Sequence, residues 1–175
     1  MQLLRTFQTK SIKIWSNLYK TYVLPIVEYA SEVWNPLDKA NITKLEKVQR
    51  FFTRKAFIKC GKKYEPYENR LKFFNLQSLE IRRKMKDLIL VFKICKGYTH
   101  FNPKDISTFS ERPSRKHSLQ IKIKHKNNDS KKFLINRTSN LWNNLPQNLI
   151  INNSVKLFKL QLEKYLLEEA SRTLY

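Results

Sequence analysis

Lys44, Lys47, Arg50 and Arg54 recur at steps of three, three and four residues, so a helix would carry them along one side. Cations held in a row in this way suit one kind of chemistry, contact with a run of phosphates. A second basic group, Arg82, Arg83, Lys84 and Lys86, crowds the first turns of another helical segment. Cations there oppose the helix dipole, so their placement calls for another reason, and phosphate supplies one. The candidate backbone contacts are Lys20, Lys44, Lys47, Arg50, Arg54, Lys55, Arg82, Arg83 and Lys86.

Other chemistries lack their residues. A metal-dependent polymerase, nuclease or phosphatase converges carboxylates on one point. Here Asp38, Asp87, Asp105 and Asp129 are scattered, and the one adjacent acidic pair, Glu168-Glu169, reads as a solvated helix end. His100, His117 and His125 are too far apart in sequence to suggest a ligand pair, and Cys60 and Cys95 form no CxxC. With only Gly61 and Gly97, no glycine-rich phosphate loop exists, and no serine sits in a G-x-S-x-G elbow. The expectation is no catalytic residue, no metal and no cofactor.

The composition agrees with a polyanionic partner. The chain has 175 residues, 35 Lys+Arg against 14 Asp+Glu, and a formal charge of +21. Self-repulsion on that scale works against a compact state unless a partner offsets it. The excess is spread over the body: residues 1–60 carry 11 basic and 4 acidic groups, and residues 61–100 carry 10 and 4. A hydrophobic fraction of 41% is far from a disordered composition. No apolar run is long enough to span a membrane, which leaves nucleic acid as the expected partner. The absence of a signal-peptide pattern and the sparse cysteines fit a reducing intracellular compartment, nuclear or cytoplasmic.

The elements that must position these groups read as mainly helical. From about Ser11 to Val33, Trp15, Tyr19, Tyr22, Ile26, Tyr29 and Val33 follow helical spacing, although Pro25 interrupts it. This stripe reads as a core face, with stacking of Tyr22, Tyr29 or Trp34 on a base as the functional version. A helix from about Lys39 to Lys59 sets Ile42, Leu45, Val48, Phe52 and Ala56 inward. Pro66 opens a short helix. Ser78 looks like the N-cap of the next, whose inner face is Ile81, Met85, Leu88, Phe92 and Cys95. The alternation in HSLQIKIKH predicts a strand, with KKFLINR returning, so a small β-ribbon is expected over about 117–137. A short helix ending at Pro146 and a terminal helix over about 154–170, with Val155, Phe158, Leu162 and Tyr165 inward, complete the reading. It divides the chain into a basic helical bundle, 1–97, and a C-terminal extension, 98–175.

LYKTYVLPIVEYASEVWNP, then LEKVQRFFTRKAF, then PYENRLKFFNLQSLEIRRKMKDLILVFKICKG resemble, in order and spacing, the region after the palm in non-LTR retrotransposon reverse transcriptases of the jockey and CR1 type. NRTSNLWNNLPQNLIINNSVKLFKLQLEKYL is similar to the closing segment of the same polyproteins, so the resemblance covers roughly residues 3–166. It implies a thumb-like bundle that grips an RNA–DNA hybrid or duplex by its backbone; the alternative reading is an interaction module or remnant whose apolar faces dock on a missing palm domain. It also implies that the parent enzymes' Tyr-x-Asp-Asp metal motif is missing, since no Asp-Asp pair occurs here. The chain then looks like a non-catalytic fragment beginning after the active site. In that family a proline is usual where Pro25 stands, either kinking one long helix or breaking it at Leu24.

Overall fold

The computed structural model describes residues 2–102, 117, 119–122 and 133–172, and it is mainly α-helical. In chain order the helices are α1 (Leu3–Thr6), α2 (Ile12–Leu18), a π-helical turn (Tyr19–Val23), α3 (Leu24–Glu28), α4 (Ser31–Trp34), α5 (Lys39–Lys59), α6 (Tyr67–Phe74), α7 (Leu79–Cys95), α8 (Leu134–Asn143), α9 (Gln147–Ile151) and α10 (Val155–Arg172). They divide into two compact units, Met1–Ser31 with Pro36–Arg82, and Glu32–Asn35 with Arg83–Tyr175.

In the first unit, Trp15, Tyr19, Phe52, Ala56, Phe57, Phe74 and Leu79 form the core. Ser11 caps α2 by accepting from the Ile14 N–H, and the buried Trp15 indole donates to Thr9 O at 2.9 Å. The predicted stripe then fails halfway. Trp15 and Tyr19 are fully buried, but Tyr22, Ile26 and Tyr29 are 54%, 76% and 79% exposed. The cause is the π-turn: the Leu24 N–H donates to Tyr19 O, five residues back instead of four. One extra residue in that turn rotates everything after it, so Leu24 and Glu28 face inward where Tyr22 and Ile26 were expected. Pro25 lands in the first turn of a new α-helical run, where its missing N–H costs little. The segment also stops early. After Glu28 the chain turns through Ala30 at φ 47°, a left-handed conformation unusual for a residue with a Cβ.

Helix α5 keeps the bounds read from sequence, capped by Asp38, whose carboxylate accepts from the Asn41 N–H at 2.8 Å. That bond holds the Asp38 carboxyl below its usual range. Its exit is a left-handed Gly61 at φ 71°, with the Lys62 N–H donating back to Phe57 O. The inner face is less apolar than predicted. Phe52 and Ala56 are buried, but Ile42, Leu45 and Val48 are only half-buried, and Glu46, Gln49 and Thr53 lie inside. Ser78 caps α7 as expected, accepting from the Ile81 N–H at 3.3 Å.

The second unit packs α7 from Arg83 onward with α8, α9 and α10. Phe92 and Phe158 stack with ring centroids 4.0 Å apart, and Trp142 sits 6.4 Å from Phe158. Phe158 and Leu162 are fully buried on α10, as its spacing predicts. The β-ribbon needs correction. Leu134–Arg137, read as its returning strand, open α8, on which Ile135, Thr138, Ser139 and Trp142 turn inward at helical spacing. Among the described residues no strand is present. Ile121 instead exchanges two 2.9 Å hydrogen bonds with the side-chain amide of Asn143, its N–H donating to Oδ1 and its C=O accepting from Nδ2. Residues 123–132 of the predicted ribbon lie outside the described residues.

Candidate nucleic-acid interface

The first unit carries the basic stripe on α5. Lys44, Lys47, Arg50, Arg54 and Lys55 are all exposed, and a helix places Lys44 and Lys55 about 16 Å apart along its axis. Seven cations lie between Lys39 and Lys59, against a single carboxylate, Glu46, which is turned inward. Every charged group that α5 presents to solvent is therefore a cation. Lys47 and Arg54 have no salt bridge among the described residues. Arg50 lies over the Tyr67 ring, 4.0 Å from its centroid, and reaches the exposed Glu68 at 3.8 Å. Its geometry is thus set by α6, while the exposed ion pair adds little energy. Lys20 is also exposed in this unit.

Beneath the stripe, a buried polar cluster locks α5 to α6 and to the start of α7. The Tyr67 hydroxyl donates to Glu46 Oε1, which also accepts from the Leu79 N–H at 3.2 Å. Gln49 Nε2 donates to Tyr67 Oη and to Gln77 O, each at 2.8 Å. Arg70 Nη1 donates to Glu65 O at 2.5 Å, tying the loop before α6 to its first turn. Burial, then the bond to Glu46, pushes the Tyr67 phenol above its ordinary range; burial and the nearby Glu46 charge do the same to Tyr19. Sequence reasoning missed this cluster because Glu46, Gln49 and Thr53 look like ordinary surface residues of an amphipathic helix.

The second basic group behaves differently. Arg82, in the first unit, forms a two-pronged pair with the buried Glu28, Nη2 donating to Oε2 at 3.0 Å. Its guanidinium serves the fold. Arg83 belongs to the second unit, is 1% exposed and donates from Nε to Asn35 Oδ1 at 3.1 Å. Burial removes it from any phosphate. Lys86, in the same unit, is half-buried. Nearby, Asp87 accepts from Arg137 Nε at 2.9 Å and Nη2 at 2.7 Å, and from Asn35 Nδ2 at 2.8 Å. Both partners of that ion pair are almost fully buried. Asp87 is a structural carboxylate.

The remaining chemistry is sparse. Among the described residues no group of three His, Cys, Asp or Glu side chains could hold a metal ion, and no helix is long and apolar enough to cross a membrane. Burial pushes the Cys95 thiol up to about 12 and raises that of Cys60, so neither is a thiolate at neutral pH. In the second unit a cavity of about 540 Å³ is lined mainly by Val33, Leu90, Ile94, Phe101 and Phe133, an apolar wall on which Glu32 is the one charged residue.

Over 100 residues the chain is 33% identical to an uncharacterized protein of Caenorhabditis elegans, a stretch covering 57% of this chain and 50% of the worm protein. The chain thus spans about half the length of that relative. No family model matches the sequence, and no solved structure matches it.

Proposed function

We propose that the chain is a thumb-like, non-catalytic nucleic-acid-binding module related to the region after the palm of non-LTR reverse transcriptases, and that it holds an RNA–DNA hybrid or duplex by its phosphates. The observation that carries this reading is the outer face of α5, where every charged group is a cation and the only carboxylate points inward. The resemblance of the surrounding motifs to that family adds to it. The binding set is Lys44, Lys47, Arg50, Arg54 and Lys55, with Lys20. Arg82, Arg83 and Lys86 leave it, because the first serves Glu28, the second is buried, and the third is half-buried in the second unit.

Contact with four to five phosphates gives a log–log slope of affinity against salt of about −4 on a duplex. Titration of a labelled RNA–DNA hybrid with salt tests this. Charge reversal of Lys47, Arg50 and Arg54 together should flatten the slope by about three; an unchanged slope removes α5 from the interface.

A second reading, docking on a palm domain of a parent polymerase, is favoured by Tyr22, Ile26 and Tyr29, which the π-turn leaves exposed on one side of the first unit. Size-exclusion chromatography at high salt separates the two: self-association that persists there is apolar, and a monomer argues for the charged face.

A further inference from the structure

Phe51 stands in the middle of the α5 stripe and was not among the residues singled out from sequence. Its neighbours one turn away on the same helix face are Lys47, Arg54 and Lys55. The ring is 49% exposed, and the Lys55 ammonium lies 5.9 Å from its centroid. An exposed apolar residue is ordinary by itself. This one differs in its surroundings, since α5 itself puts no carboxylate on its outer face and the core side of the helix is filled by Phe52, Ala56 and Phe57. Phe51 therefore presents an aromatic face to solvent at the centre of a cationic field.

We propose that Phe51 is a base-stacking residue, and that the outer face of α5, besides holding duplex phosphates, takes unpaired bases, those of a single strand or of the single-stranded segment beside a duplex. The inference rests on reading α5 as a phosphate-binding face and names the form of nucleic acid that this face prefers. In a duplex the base faces are covered by their neighbours, so a phenyl ring finds nothing to stack on. In a single strand each base offers a π-face, and cations one turn either side of the ring can hold the flanking phosphates. Lys47 and Lys55 lie about 12 Å apart along the axis, on either side of Phe51.

The test compares the full chain with its Phe51→Ala and Phe51→Trp variants on three probes: a labelled thymidine oligonucleotide, a blunt DNA duplex of the same length, and polyphosphate, which has charge but no bases. Phe51→Ala should weaken oligonucleotide binding about tenfold and leave duplex and polyphosphate binding unchanged. Phe51→Trp should keep the affinity, and its added indole emission should be quenched by the oligonucleotide. Circular dichroism verifies that both variants are folded. Equal losses on all three probes, or no loss on the oligonucleotide, overturn the stacking role. Loss of binding to phosphatidylserine vesicles with oligonucleotide binding intact also overturns it, and assigns Phe51 to a lipid surface. The underlying reading fails separately, when reversing Lys47, Arg50 and Arg54 leaves the salt slope for every probe unchanged.

Discussion

The two basic runs of this chain have similar composition and opposite fates. On α5, cations at steps of three and four point outward, and only Arg50 reaches a carboxylate, the exposed Glu68 of α6. At the start of α7, Arg82 is taken by Glu28 within the first unit, and Arg83 is buried beside Asn35 within the second. What separates them is whether a buried acceptor waits at the right place. Glu28 is turned inward by the π-turn at Tyr19–Val23, and it lies 54 residues from the arginine it binds. A run of cations therefore stays at the surface only where the fold supplies no buried acceptor.

The largest expected effect comes from breaking an internal pair. Arg137 and Asp87 are both almost fully buried and joined by two hydrogen bonds. Arg137→Ala leaves a carboxylate without its cation, which costs about 3–5 kcal/mol. Chemical denaturation followed by tryptophan fluorescence in a Trp15→Phe, Trp34→Phe background, where Trp142 is the remaining emitter, should report that loss in the second unit. A loss below about 1 kcal/mol would mean that solvent reaches Asp87, and the contrast with α5 would collapse.

A smaller effect probes the support under the stripe. The Tyr67 and Tyr19 phenols are raised above the usual tyrosine value of about 10. Above that pH the unfolded chain gives up these protons while the folded chain keeps them, so ν_U is less than ν_N and stability falls as pH rises. Below it both states are protonated and the contribution is complete. The slope is about 1.4 kcal/mol per pH unit for each such tyrosine. Tyr67→Phe should lose about 1 kcal/mol near neutrality, from its hydrogen bonds, and should decline less steeply above pH 10 than the wild type. Parallel alkaline curves would show that Tyr67 titrates normally.

Much of this was legible in the sequence, for reasons tied to particular residues. The bounds of α5 follow from the spacing of its apolar and basic residues, and the start of α7 from Ser78, because a cap is local chemistry. The outward placement of Lys44, Lys47 and Arg54 follows from their spacing. The π-turn did not show, since Trp15, Tyr19, Tyr22, Ile26, Tyr29 and Val33 keep helical spacing without a break. Only packing selects Leu24 and Glu28 instead. Leu134–Arg137 misled because a short apolar run fits either period until its neighbours are counted. Arg83 misled because burial of a guanidinium depends on Asn35, 48 residues away.

The smallest expected effect on stability is also the sharpest test of the comparison. Lys47 is exposed, lacks a salt bridge among the described residues, and projects from the side of α5 opposite its core. Lys47→Ala removes no buried contact and puts a better helix former in its place, so stability should change by less than about 0.5 kcal/mol. The salt slope for nucleic-acid binding should fall by about one, the share of a single phosphate contact. A residue whose removal leaves the fold intact but removes one counterion's worth of binding is held there by its partner. Were Lys47→Ala to destabilise the protein as Arg137→Ala does, α5 would be using its cations internally, and the two runs would no longer differ.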